Sequence, residues 1–194
     1  GQADYRYLVP LAMAESAGMN TQLYVQNTGL DCASVTLRFR PQDSCLPAAA
    51  CAMGALSVPA GQVMSFEPLD CVGSDWAGSV EVQSDMPLAI AADLYGRDSL
   101  STYRGVSRVP SPGAEELVGP LYHSPETGWD SLGDVHNLGQ ASAAVQVTFQ
   151  RSDGTVEATV SDTLCAGAGK TFPLPVSFDA PTIQTGWIRV ESLT

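Results

Sequence analysis

The chain has 194 residues, 21 acidic against 9 basic for a formal net charge of -12, and is 44% hydrophobic but only 15% charged. That acidity repels nucleic acid and anionic membrane surfaces, which argues against both as partners. No apolar run reaches the length of a helical membrane span, so membrane insertion is not expected. Plentiful Gly, Pro, Ser, Ala and Thr describe strands and turns rather than solvated helices.

The chain opens at Gly1-Gln2-Ala3-Asp4 without a charged and apolar leader, and reads as a mature protein or as part of one. Tyr5, Tyr7 and Leu8 lead into Val9-Pro10-Leu11, the opening strand. Leu23 and Val25 then alternate with Gln22, Tyr24 and Gln26, and Val35, Leu37 and Phe39 alternate with Thr36, Arg38 and Arg40. Period two over such runs predicts half-buried strands. Asn27-Thr28-Gly29 turns the chain between them, and Pro59-Ala60-Gly61 marks the next turn. Strand-like residues resume at Gly78–Ser84, continue through Asp85–Tyr95, and end near Thr102–Val106. Ser107–Glu116 (SRVPSPGAEE) has the prolines and glycine of a short linker.

Beyond it the chain repeats itself. Pro10-Leu11, Asn27, Gly29, Val35, Leu37 and Phe39 return as Pro120-Leu121, Asn137, Gly139, Val145, Val147 and Phe149, at a constant offset of about 110. After a loop carrying Cys45 and Cys51 that has no counterpart, Ala60-Gly61 and Phe66 return as Ala166-Gly167 and Phe172, and Gly78–Ser84 as Gly186–Ser192. Ser152-Asp153-Gly154 between alternating runs predicts a hairpin. The second copy stops after Ser192 with Leu193 and Thr194, so it reads as lacking its closing strands. The predicted fold is all-β: two tandem antiparallel β-sandwiches of about seven strands each, immunoglobulin-like in architecture but without the antibody Cys, Trp, Cys spacing. Their bounds are 1–108 and 117–194, joined by a linker at 109–116.

Five cysteines in a strand-rich acidic chain indicate an oxidising compartment. The preferred pairing is Cys45 with Cys51, pinning the inserted loop, and Cys32 with Cys71, although four cysteines allow three connectivities. Cys165 is left over, either as a buried small apolar residue or free thiol, or as a bond to another subunit. No CxxC or Cys/His cluster suggests zinc, and Asp130, Asp134, Asp153 and Asp162 lack the spacing of a calcium loop. No metal or other cofactor is expected.

Catalytic patterns are also wanting. His123 and His136 are the only histidines, and neither a GxSxG elbow nor an HExxH helix accompanies them. His136 falls on the polar side of a strand, as an ordinary surface histidine would. Trp76, Trp129 and Trp187 adjoin strand boundaries with glycines close by, which favours core plugs over a sugar-stacking platform. The chain is therefore not read as an enzyme. It has no Asn-x-Ser/Thr sequon, while its Ser and Thr leave O-linked glycan open.

The wording of the repeat carries a resemblance. Leu8-Val9-Pro10-Leu11-Ala12-Met13, Asn20-Thr21, Val25-Gln26-Asn27-Thr28-Gly29, Val58-Pro59-Ala60-Gly61 and Val82-Gln83-Ser84-Asp85-Met86-Pro87-Leu88-Ala89 resemble the tandem sandwich repeats of secreted and cell-surface proteins of filamentous bacteria, notably the Chloroflexota. The second copy keeps Pro120-Leu121, Val135, Asn137 and Gly139 of that pattern. The resemblance implies an extracellular, cell-surface structural or adhesive role and brings no catalytic residues with it.

A sandwich short of its last strands exposes an unpaired ladder and an apolar groove, which a strand from a neighbouring copy can fill. Because such a head-to-tail contact does not close on itself, the expected product is a filament, a homopolymer of this chain. The expected donor is Gly1–Leu8, with Tyr5, Tyr7 and Leu8 as its large side chains. The expected acceptor edge is Trp187, Ile188, Val190 and Leu193. Four buried apolar side chains would gain about 6–12 kcal/mol gross, and ordering eight donor residues costs about as much, so a broader contact must contribute. The other reading is a monomeric adhesion or carbohydrate-binding fragment of a longer surface array.

Overall fold

The computed structural model describes residues 4–97, 100–104, 106–107, 116–123, 132–173 and 185–193. The chain divides into two compact units, Gly1–Pro110 and Ser111–Thr194. The regular structure of the described residues is strand except for one short helical turn, and the strand pairings are antiparallel.

Unit 1 comprises β1 (Tyr5–Ala14), β2 (Met19–Asn27), β3 (Ala33–Pro41), β4 (Ala49–Ala50), β5 (Leu56–Val58), β6 (Val63–Phe66), the helical turn α1 (Leu69–Val72), β7 (Trp76–Ser84), β8 (Leu88–Gly96), β9 (Leu100–Arg104) and β10 (Val106–Ser107). One sheet runs β10-β1-β7-β3, with β4 and β5 both on the far side of β3; the other runs β6-β2-β8-β9. Alternation decides what each face meets. Val9, Val35, Leu37, Phe39, Val80 and Val82 from the first sheet share one core with Leu23, Val25, Phe66, Ile90 and Ala92 from the second. The Trp76 ring packs edge-on against Phe39 at 5.7 Å, on the rim of that core.

Unit 2 comprises β11 (Glu116–His123), β12 (Leu132–His136), β13 (Ala143–Arg151), β14 (Val156–Leu164), β15 (Gly169–Pro173) and β16 (Thr185–Ser192). Its sheets are β11-β16-β13-β14 and β12-β15. Val145, Val147, Phe149, Leu164, Phe172 and Ile188 form its core. The hairpin at Ser152-Asp153-Gly154 joins β13 to β14, with Gly154 N–H donating to the Arg151 carbonyl and Thr155 N–H to Asp153 Oδ1.

Strand pairing repeats in step with the sequence. Leu37 faces Val82 and Phe39 faces Val80; Val147 faces Val190 and Phe149 faces Ile188. The Pro-Leu landmark marks a register shift in both units, between Val9 and Ala12 on β1 and between Gly119 and Tyr122 on β11. Proline cannot donate to the ladder, which suits it to such an irregularity.

The Asn landmark is a clamp. Asn27, fully buried, donates from Nδ2 to the carbonyls of Asp31 and Val58 and accepts at Oδ1 from Gly29 N–H. Asn137 donates to Ala141, Leu164 and Cys165 carbonyls and accepts from Gly139 N–H. In each unit this side chain closes its own turn and ties the end of one sheet to the edge strand of the other. Gly61 and Gly167, the paired turn glycines, have φ of 71° and 69°, a backbone region that disfavours side chains.

The cysteine pairing differs from the sequence expectation. Cys51 bonds to Cys71, not Cys45, with a Cα–Cα distance of 5.0 Å. Cys51 is a buried member of the core and Cys71 packs against that core from α1, so the two face each other. Cys32 is the free thiol; it is exposed, with Sγ 3.0 Å from Ser57 Oγ, and does not pair with Cys71. Cys45 and Cys165 are both disulfide-bonded, so Cys165 is not a free thiol.

Candidate strand-accepting edge

The strands expected to donate and to accept are both already paired. Tyr5, Tyr7 and Leu8 lie in β1, where Tyr5 faces Ser84, Tyr7 faces Val82 and Leu8 faces Glu81, with β10 on the opposite side at Tyr7 and Leu8. Tyr7 has a further task, since its hydroxyl accepts from Leu88 N–H at 2.8 Å and fixes the start of β8. This segment is a working strand of unit 1, not a spare one. On β16, Ile188 faces Gly119 and Phe149, and Val190 faces Leu117 and Val147. Trp187, half-buried, faces Gln150. Leu193 is 56% exposed, and its N–H donates to the Ala144 carbonyl. The strand meant as an edge is therefore the interior of its sheet.

The physical reason lies in unit 1. β8 follows β7 along the chain, but β7 belongs to one sheet and β8 to the other, where it pairs with β2 and β9. A closing strand that follows β16 in sequence would by the same path leave β16 satisfied and fall beside β12.

There the described residues leave an edge. β12 pairs with β15 as Leu132 with Pro173, Asp134 with Thr171 and His136 with Gly169, and no described strand lies on its other side. In unit 1 β2 has β6 on the corresponding side and β8 along its entire length on the other. Val25 and Val82, both 1% exposed in unit 1, correspond to Val135 and Val190, which are only half-buried in unit 2. Among the described residues, less buried valines thus accompany a strand side without a described partner.

The outer face of β12 and β15 is polar. Asp134 Oδ2 lies 2.9 Å from His136 Nε2, and Asp134 Oδ1 accepts from Thr171 Oγ1 at 3.0 Å. The His136 side chain is only 8% exposed because its ring lies over Gly169, where any side-chain carbon would collide with it. It is not the ordinary surface histidine of the sequence reading. Across the inner face, Lys170 Nζ and Asp162 Oδ2 pair at 2.6 Å, and that hydrogen bond holds the Asp162 carboxyl below its usual value. Trp129, Asp130 and residues 109–115 of the linker lie outside the described residues, as does the side chain of His123. Among the described residues no group of three metal-ligating side chains converges.

No protein-family model matches the chain, and no curated protein matches it. Solved structures similar to it include Thermotoga maritima 1070, 17% identical with a TM-score of 0.42 over 52% of this chain and 91% of that one. Bacteroides uniformis β-glucuronidase 2, covalently bound to cyclophellitol-6-carboxylate aziridine, is 14% identical with a TM-score of 0.26 over 89% of this chain. The chain spans 21% of that glucuronidase.

Proposed function

We propose that the protein is an extracellular structural subunit of a surface filament, in which an extended strand from a neighbouring copy completes unit 2. Each unit is read as an immunoglobulin-like sandwich, the second without its closing strands. The observation that carries the reading is that no described strand lies on the far side of β12, where unit 1 has β8 and then β9. A strand side with no described partner, beside half-buried Val135, is a template for a further strand. Two disulfides are compatible with an oxidising, extracellular setting. Among the described residues no helix is long and apolar enough to cross a membrane.

The donor differs from Tyr5–Leu8, because withdrawing that segment would strip β7 and β10 of a partner and release β8 from Tyr7. A donor not already committed to a sheet is required. One observation favours a second reading, an adhesive or carbohydrate-binding array on one polypeptide: in unit 1 β8 is the strand that follows β7 along the same chain.

Negative-stain electron microscopy of native material, with intact mass on the same sample, separates the two. Long uniform fibres from a chain of about this mass support the filament. Discrete particles, or a mass containing further repeats, overturn it in favour of the array. Replacing Leu193-Thr194 with a copy of residues 85–107 supplies the missing strands in cis, and fibres should then give way to monomers.

A further inference from the structure

We infer that Asp153-Gly154 is a conditional modification site, held unreactive while the β13–β14 hairpin is closed and converted to isoaspartate once the hairpin opens. This turn has no part in the filament reading.

The reaction needs only the dipeptide and water. The Gly154 backbone nitrogen attacks Asp153 Cγ, loses its proton and expels a carboxyl oxygen as water, leaving a succinimide ring. Water then opens the ring at either carbonyl. One opening restores aspartate, and the other gives isoaspartate, whose main chain runs through Cβ and Cγ. Glycine favours the attack because it has no side chain to crowd the nitrogen. The sequence contains this single Asp-Gly pair and no Asn-Gly.

Access does not limit the attack. Ser152, Asp153, Gly154 and Thr155 are all exposed, and nothing lies within 4 Å of the point where a Gly154 side chain would begin. Hydrogen bonds stand in the way instead. The Gly154 N–H donates to the Arg151 carbonyl at 2.9 Å, so its nitrogen cannot turn onto Cγ or shed its proton without breaking the turn. Asp153 Oδ1 accepts from the Thr155 N–H at 2.8 Å, which aims the carboxylate past Gly154. That bond also holds the Asp153 carboxyl below its usual range and so keeps it as the anion, a poor electrophile. The Arg151 N–H closes the loop on the Thr155 carbonyl at 2.8 Å, and Gly154, with φ of 89°, occupies the position that such a loop gives to glycine. Among the described residues β14 pairs with β13 alone, so opening that ladder releases these bonds together.

The change runs one way. Isoaspartate adds a carbon to the main chain of the loop, which then no longer brings Gln150 opposite Val156 and Phe149 opposite Ala158. Isoaspartate at position 153 therefore records an earlier opening of unit 2.

The test holds the intact chain in warm neutral buffer with and without guanidinium chloride, beside a synthetic peptide of residues 148–158 in both media. Peptide mapping with electron-transfer fragmentation follows isoaspartate at position 153. In denaturant the chain should isomerise at the peptide's rate, and in buffer at least about tenfold more slowly than the peptide. Equal rates for chain and peptide in buffer, or denatured chain that stays unmodified at Asp153 while the peptide converts, would overturn the inference. Chain isomerised in denaturant should also fail to regain the unit 2 transition that unmodified chain regains on dilution; recovery with isoaspartate in place would overturn the one-way step.

Discussion

In their described residues, unit 1 and unit 2 join their two sheets by different side chains at matching positions. In unit 1, Leu56 on β5 faces Val35 and Met64 on β6 faces Val25, and both pack against the core. Unit 2 has Asp162 facing Val145 and Lys170 facing Val135, joined as an ion pair, with about a third of each side chain exposed. An apolar pair joins two sheets where water is excluded, and an ion pair joins them where it is not. Unit 1 also carries the Cys51–Cys71 bond and strands β8 and β9, whereas the described part of unit 2 has a smaller core, the Asn137 clamp and the disulfide-bonded Cys165.

The largest expected effect comes from the paired phenylalanines. Phe39→Ala and Phe149→Ala each remove a buried ring facing β7 or β16 and should cost about 3–5 kcal/mol. Calorimetry should show unit 1 keeping a cooperative transition while unit 2 loses its own. If both units survive equally, unit 2 is not the weaker one. Next is the disulfide: with a sequence separation of 20 between Cys51 and Cys71, replacing both by serine should cost unit 1 about 3 kcal/mol in denaturant unfolding and leave unit 2 unchanged.

The clamp gives a smaller and more discriminating contrast. Asn27→Ala leaves buried carbonyls and an N–H without partners and should cost about 2–3 kcal/mol, against about 1–2 for the half-buried Asn137→Ala. Equal costs would mean that the clamp's burial is immaterial. Smallest is the ion pair, part-exposed and contributing under about 1 kcal/mol. Because the Asp162 pKa is lower folded than unfolded, its contribution is complete above the ordinary value of 3.8 and is lost as pH falls through the lower folded value. Acid titration of the unit 2 transition should show this loss, and Lys170→Met should remove it.

Strands β2, β3 and β13 were legible because one face of each is buried and the other wet, which writes period two into the residues. The hairpin at Ser152-Asp153-Gly154 was legible because its turn chemistry is local. Cysteine pairing was not, since Cys45 and Cys51 are close in sequence while Cys51 points into the core that α1 covers. His136 was misjudged because alternation reports which face a side chain leaves from, not that Gly169 opens a seat for its ring.

The candidate edge divides along the same line. That the second copy stops where the first continues is contained in the residue order alone, as are the Pro-Leu, Asn and Gly landmarks that align the copies. Which strand pairs with which is not, because adjacency along the chain and adjacency in a sheet part company wherever a connection crosses between sheets. In unit 1 β8 follows β7 in sequence, yet it pairs with β2, much earlier in the chain. Local chemistry writes strands and turns into the sequence, whereas hydrogen-bond partners between distant segments are chosen only when two sheets close over one core.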